Sequence, residues 1–215
     1  MVTATGLIVL NTTKVGDRSL VVHALSRNLG RRSFMVAAGK GASVFQPMNI
    51  LDAEVVENPK SDLWRLRHVA PAYPLTGIRS NIHKNAMTLF LGELLFRSIK
   101  EGASEEGLYD WCVAKMLTLD AMEADFANFH LRFILELAGA LGFSPSAEDI
   151  LPFADEHACK ISALLEASEA DFMLVPLTGA ERGGIAAAMV DYLAFHLETP
   201  LNIRSLRVLS ELYQR

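Results

Sequence analysis

The sequence predicts a two-part β + α protein: a small closed barrel of five strands, then an all-α helical bundle. Three observations carry this. Up to about residue 75 the chain offers short apolar runs of period two, separated by Gly-containing turns. Pro71 and Pro74 then interrupt it, and beyond them the apolar period lengthens towards 3.6. Charge changes at the same place. Residues 1–75 hold nine Lys+Arg against five Asp+Glu, a net of +4, and residues 76–215 hold eleven against twenty, a net of −9.

The five strand candidates follow in order. Gly6–Asn11 is apolar and β-branched, and Val15-Gly16-Asp17 supplies turn chemistry before Ser19–Leu25. Gly30 opens Arg31–Ala38, which Gly39-Lys40-Gly41 breaks. Asn49–Glu57 ends at Asn58-Pro59. In Asp62–Ala70, alternation puts Trp64, Leu66 and His68 on one face and Leu63, Arg65, Arg67 and Val69 on the other. Such a set closes into a five-stranded barrel, with an SH3-like barrel as the competing all-β arrangement.

The helices are read from their stripes and caps. Asn81–Lys100 carries a broad apolar stripe. A second helix, capped by Ser104-Glu105-Glu106, runs to about Leu119. A third starts at Asp125 or Asn128 and ends near Leu141-Gly142, with Gly142 as C-cap and Pro145 as stop. Its apolar residues face nearly every direction, which marks a central helix, and Arg132 and Glu136 are spaced to pair. Residues 144–177 are mixed, with a short helix around Cys159–Ala167. Thr178 and Glu181 form a capping-box pattern before a helix through about Leu197. Pro200 breaks it, and Ser205–Gln214 is the last helix.

Composition excludes several classes. No apolar run reaches the roughly 18–20 uncharged residues that span a bilayer, and no signal-peptide pattern opens the chain. No membrane role and a cytoplasmic location are therefore expected. Cys112 and Cys159 stand far apart, outside any CxxC pair, and are expected to be plain buried thiols rather than zinc ligands. The six His residues lack metal-ligand spacing, and Asp155-Glu156-His157 reads as a solvated acidic turn. Phosphate-binding, nucleophile-elbow and metalloprotease motifs are missing, so no cofactor, metal or catalytic residue is expected.

The basic excess points instead to a polyanion. Lys14 and Arg18 flank the first turn, Arg27, Arg31 and Arg32 bracket the second, Lys40 lies in the third, and Arg65 and Arg67 share a face of the fifth strand. Oligonucleotide-binding barrels hold strands with such a cationic surface and a few stacking aromatics, for which Trp64, Phe34, Phe45 and Tyr73 are the candidates. A turn cation is otherwise simply solvated, and Trp64 is otherwise a core residue. In the third helix, Arg132 beside Phe129 either pairs structurally or meets an anionic docking group.

Ile8-Val9-Leu10-Asn11-Thr12-Thr13-Lys14-Val15-Gly16-Asp17-Arg18-Ser19-Leu20 resembles the opening of the bacterial recombination mediator family RecO. Gly30-Arg31-Arg32-Ser33-Phe34, Phe45-Gln46-Pro47-Met48, Asn128-Phe129-His130-Leu131-Arg132-Phe133 and Ile203-Arg204-Ser205-Leu206-Arg207-Val208-Leu209 continue the likeness in order. The resemblance implies an oligonucleotide-binding (OB) fold at 1–75 and a partner-binding helical domain at 76–215. It implies non-enzymatic binding and annealing of single- and double-stranded DNA. It further implies work with RecR, sometimes RecF, to load RecA on gaps coated by single-stranded-DNA-binding protein, whose acidic C-terminal tail docks on the helices. By motif, Lys14, Arg18, Arg31, Arg32 and Lys40 would touch DNA and Arg132 the tail. Many members carry a four-cysteine zinc module that is absent here, and the Gly39–Phe45 loop keeps Lys40 as its sole cation. A partner adaptor with weak or lost DNA affinity is the alternative. A metal-dependent nuclease would need converging carboxylates that no motif places.

Overall fold

The computed structural model describes residues 1–103, 106–143 and 145–213, with Lys40 and Asp155 described by backbone alone. The strands are β1 (Val2–Val15), β2 (Ser19–Ser26), β3 (Gly30–Ala37), β4 (Ile50–Val56) and β5 (Leu63–Pro71). They close in the order β1-β2-β3-β5-β4, with β3 and β5 parallel and the other pairs antiparallel. This is the five-stranded barrel of the OB type, and it replaces the SH3-like alternative.

β1 is longer than its apolar run because its two halves serve different neighbours. Val2–Ile8 pairs with β4 and Leu7–Val15 with β2, with a bulge between Val9 and Asn11. Leu7, Val9, Val22, Ala24, Phe34, Leu51 and Val55 fill the interior, and Phe45 closes it from the loop after β3. β5 departs from simple alternation. Trp64 and Leu66 pack on the core, but an irregularity between Asp52 and Glu54 on β4, opposite a left-handed His68 (φ 50°), shifts the phase. Val69 then joins the core face and His68 turns outward to meet Glu54 at 2.9 Å, the reverse of the expected faces.

The helices are α1 (Thr76–Ser80), α2 (Ile82–Ser98), α3 (Leu108–Ala121), α4 (Phe129–Ala140), α5 (Ala147–Ile150), α6 (Ala158–Glu166), α7 (Glu169–Leu174), α8 (Gly179–His196) and α9 (Ser205–Tyr213). The short α1, α5 and α7 lack the length for a periodic stripe. Ser146 and Ser168 accept hydrogen bonds from the backbone N–H of Asp149 and Asp171, so the S-x-x-D spacing was the available signal for two of them. The expected cap at Ser104-Glu105 lies outside the described residues. Among them no helix is long and apolar enough to cross a membrane.

The chain divides into two compact units: Met1–Thr76 with Leu91–Leu117, and Gly77–Phe90 with Thr118–Arg215. In the first unit the latter part of α2 lies close on β1. A Cβ added at Gly92 would stand 2.7 Å from the Leu10 carbonyl oxygen and 3.1 Å from Pro47 Cβ. A methyl group there must push the helix off the strand, because a backbone carbonyl cannot rotate aside. Gly92→Ala is therefore expected to cost about 2 kcal/mol, as overpacking does, read as a lower urea midpoint at unchanged slope.

In the second unit α4 is central, as its all-round apolar sequence requires: Phe129, Leu131, Phe133, Ile134, Leu137 and Ala138 are buried. Gly142 (φ 88°) ends it, and the Phe143 N–H returns to the Ala138 carbonyl. Thr178 and Glu181 form the reciprocal capping box of α8. Asn128, 1% exposed, precedes α4 and donates to the Phe172, Met173 and Val175 carbonyls while accepting from Arg182. Lys84, 3% exposed, donates to the Asp120 and Met122 carbonyls at the end of α3, neutralising groups the helix leaves unpaired. Cys112 is buried, which pushes its thiol up, but Cys159 is exposed, contrary to expectation.

Candidate nucleic-acid interface

The eight basic residues fall into distinct environments. Lys14 and Arg18 stand exposed on the β1–β2 hairpin, and Arg65 and Arg67 are exposed on β5, where alternation directs them away from the core occupied by Trp64 and Leu66. These four make no ion pair among the described residues. Arg65 lies beside Met35 of β3 in register, and Arg67 opposite Glu54 of β4. The Lys40 side chain lies outside the described residues.

Two more are loosely held. Arg27 meets Asp110 at 2.9 Å and lies 4.8 Å from the Tyr109 ring, with both ionic side chains more than half exposed. A pair so hydrated contributes little, roughly 0–1 kcal/mol, so Arg27 can exchange its carboxylate for a phosphate. Arg32 is half-buried, donates to the Leu29 carbonyl and lies 4.9 Å from the Trp64 ring. Trp64 is thereby a core residue under an arginine rather than an open stacking platform.

Arg31 is a strut. Its guanidinium donates to the Ile99 carbonyl at 2.8 Å and lies 4.4 Å from the Phe96 ring. Its backbone exchanges hydrogen bonds with Gly102 and Ala103. Burial lowers its pKa, and the nearby Glu101 carboxylate opposes that. A cation placed on the carbonyls ending a helix is stabilising. Arg31 and Arg32 both flank a turn in the sequence, but alternation sends their side chains to opposite faces of β3.

The same face of β2 and β3 holds a hydrogen-bonded chain. Ser33, 4% exposed, donates to Glu101 at 2.5 Å, and His23 Nδ1 lies 2.9 Å from the Ser33 hydroxyl. Burial first, then Arg31, lowers the His23 pKa, while Glu101 raises it. A serine nucleophile needs the imidazole between hydroxyl and carboxylate. Here the serine sits in the middle and donates its hydrogen bond to the carboxylate, which makes the trio a structural clasp. Among the described residues no group of three or more His, Cys, Asp and Glu is placed to hold a metal ion.

Of the expected aromatics, Phe34 is 0% and Phe45 8% exposed, so both belong to the core, and Tyr73 at 42% is the one with an accessible ring. Lys60 is a further cation of the barrel, beside those that the sequence points to. It is exposed in the β4–β5 loop, after the Asn58 turn, and in barrels of this type the β1–β2 and β4–β5 loops flank the bound strand. Packing also dilutes the basic excess: the first compact unit, with Leu91–Leu117 included, holds twelve Lys+Arg against ten Asp+Glu.

In the second unit Phe129 is 3% exposed and faces the interior, so it offers no surface to a ligand. Arg132 pairs with Glu136 at 2.6 Å, as the spacing predicted, and lies 5.5 Å from the Phe172 ring. A separate open cleft of about 580 Å³ is lined by Lys160, Arg182, Asp125 and Glu181 together with apolar residues that include Met173, Leu174 and Leu177.

The chain matches the family model described as Recombination protein O N terminal over residues 1–74, and that described as Recombination protein O C terminal over 79–151. Among curated relatives it is 28% identical to the DNA repair protein RecO of Phocaeicola vulgatus, with 96% of this chain and 97% of the relative covered. It is 29% identical to that of Bacteroides fragilis, over 96% and 97%, and 27% identical to that of Flavobacterium johnsoniae, over 97% and 98%. With a barrel of the expected topology, both models matched in order and relatives aligned nearly end to end, the chain belongs to the RecO family.

Proposed function

We propose that this chain is a non-enzymatic DNA-binding mediator of recombination and repair. Residues 1–75 would bind single- and double-stranded DNA and residues 76–215 would dock partner proteins in the cytoplasm. Family membership supports the repair and recombination role. The observation that carries DNA binding is the set of exposed cations Lys14, Arg18, Arg65 and Arg67, unpaired among the described residues, on a closed OB barrel. Annealing follows from charge neutralisation, since two phosphate backbones repel until a cationic surface holds them both. In this reading the protein, with RecR, helps load RecA at gaps coated by single-stranded-DNA-binding protein.

Salt tests the mechanism. If the four free cations each neutralise one phosphate, raising salt from 50 to 200 mM weakens duplex binding about 100-fold and single-strand binding about 50-fold. Fluorescence anisotropy with labelled oligonucleotides at the two concentrations reads this, and a flat response removes phosphate contacts as the basis of binding. A second reading, an adaptor with little DNA affinity, is favoured by the intramolecular engagement of Arg31 and Arg32 and the near balance of charge in the first unit. A wild-type protein that fails to hold DNA at 50 mM salt yet still binds RecR would establish it.

For the acidic tail of the coating protein, the cleft holding Lys160 and Arg182 fits better than Arg132 and Phe129, because it joins cations to exposed apolar surface, Leu174 being 60% exposed, although Asp125 and Glu181 also line it. Lys160 is the residue to test, since among the described residues its ammonium makes just one hydrogen bond, at 3.3 Å, to the Pro176 carbonyl. Lys160→Glu is expected to weaken a synthetic tail peptide about 10-fold by isothermal titration, with the melting temperature unchanged. An unaltered affinity would move the tail site elsewhere.

A further inference from the structure

The far end of α8 carries an aromatic cluster that DNA binding and the cleft at Lys160 and Arg182 leave unused. Phe195 is 68% exposed, His196 is exposed, and Phe143 and Phe153 are half-buried. The rings touch one another: Phe153–Phe195 at 5.8 Å, Phe195–His196 at 5.4 Å, Phe143–His196 at 5.3 Å and Tyr192–His196 at 4.4 Å between centroids. Tyr192 is 2% exposed and anchors the cluster to the core. An exposed Phe held in place by neighbouring rings loses little entropy when it is covered, which is the character of a binding hot spot.

The surroundings decide what would cover it. Residues 133–159 and 183–203, which supply the whole cluster, contain seven Asp+Glu and no Lys or Arg. Glu148, Asp149, Asp191 and Glu198 are exposed. Asp191 lies one turn before Phe195 on the same helical face. Hydrogen bonds from Ser146 lower the Asp149 pKa and the neighbouring His196 adds to this, while burial raises the Tyr192 phenol and the neighbouring Asp149 adds to that. Exposed rings could also stack on bases, but a rim carrying the exposed Glu148, Asp149, Asp191 and Glu198 repels phosphate. A cationic apolar segment satisfies both halves of the surface: its apolar side chains cover Phe195 and Phe153, and its Lys or Arg groups meet the carboxylates and the ring faces.

We infer that the aromatic cluster Phe143–Phe153–Phe195–His196, with its carboxylate rim, is a docking surface for a basic, apolar segment of a partner protein. This surface is distinct in charge from the DNA-binding and tail-binding sites, and its test is independent of them.

The probe is a fluorescein-labelled amphipathic peptide of Leu and Lys, with a Leu and Glu peptide of the same pattern as its counterpart, titrated against the full chain. Saturable one-to-one binding of the Lys peptide and none of the Glu peptide is expected. Phe195→Ser should weaken binding at least 10-fold, and Asp191→Lys about 5-fold. Ile82→Ser, at a site 66% exposed in the same unit, should leave it unchanged. Circular dichroism melts check folding, and Asp191→Lys reads the same surface should Phe195→Ser unfold. Equal affinity of wild type and both variants, or equal binding of the two peptides, overturns the inference. So does self-association of the wild type by sedimentation that Phe195→Ser abolishes, since the occupant is then a second copy. Oligothymidylate binding lost in Phe195→Ser overturns it in favour of nucleic acid.

Discussion

Reversing Lys14, Arg18, Arg65 and Arg67 together to Glu is expected to weaken DNA binding about a thousandfold at 0.1 M salt. Counterion release contributes on the order of 1 kcal/mol for each phosphate neutralised under those conditions, so losing four such contacts removes about 4–5 kcal/mol. The four side chains are exposed and unpaired among the described residues, so the variant should melt close to the wild-type temperature, with a small loss from Arg67→Glu, which sets a carboxylate opposite Glu54. Arg31→Glu is the informative contrast. It should lower the melting temperature, because it places a carboxylate against the Ile99 carbonyl and beside Glu101. Anisotropy with single- and double-stranded oligonucleotides, beside thermal melts of both variants, separates contact from scaffold. If the fourfold variant binds like wild type, the barrel's exposed cations are not the DNA site.

Acid is expected to destabilise the protein through His130. The ring is 2% exposed on the central helix α4, edge-on to Phe90 and parallel to Tyr213. Burial, then the positive Arg182, push its pKa down to about 3, against a hydrogen bond to the Ala127 backbone that raises it. The unfolded chain returns it to about 6.5. Between these values the unfolded state binds the proton and the folded state does not, so stability is complete above about pH 6.5 and falls as pH drops towards 3. At pH 5 this amounts to about 2 kcal/mol, at a slope approaching 1.4 kcal/mol per pH unit. His130→Phe keeps a ring in the stack and removes the titration. Unfolding free energies from urea titrations at pH 7 and pH 5 should therefore differ by about 2 kcal/mol more for wild type than for the variant. An equal loss in both would assign the acid sensitivity to other groups, His23 among them, whose pKa is also lowered.

Much of the fold was legible before any coordinates, because strand alternation, helical stripes and caps are local. The five strands, the central α4, the Thr178–Glu181 capping box and the Gly142 terminator all follow from residues within a turn or two of one another. The candidate site was legible in charge but not in direction. Nothing within a few residues of Arg31 announces that it will meet the carbonyl of Ile99, sixty-eight positions away. Phe129 reads as a surface anchor until the apolar residues around it show that every face of its helix is covered.

By itself, then, the chain determined the element order, the closed β-barrel and helical partition, and the concentration of cations near the amino-terminal turns. Only the tertiary structure decided which cations remain free, where the β5 bulge sends Val69 and His68, and how Leu91–Leu117, with its acidic residues, joins the barrel's compact unit. The reason is the range of the forces. Hydrophobic periodicity and capping act between near neighbours along the chain, whereas burial, ion pairing and strand register are set by residues that meet only once the chain has closed on itself.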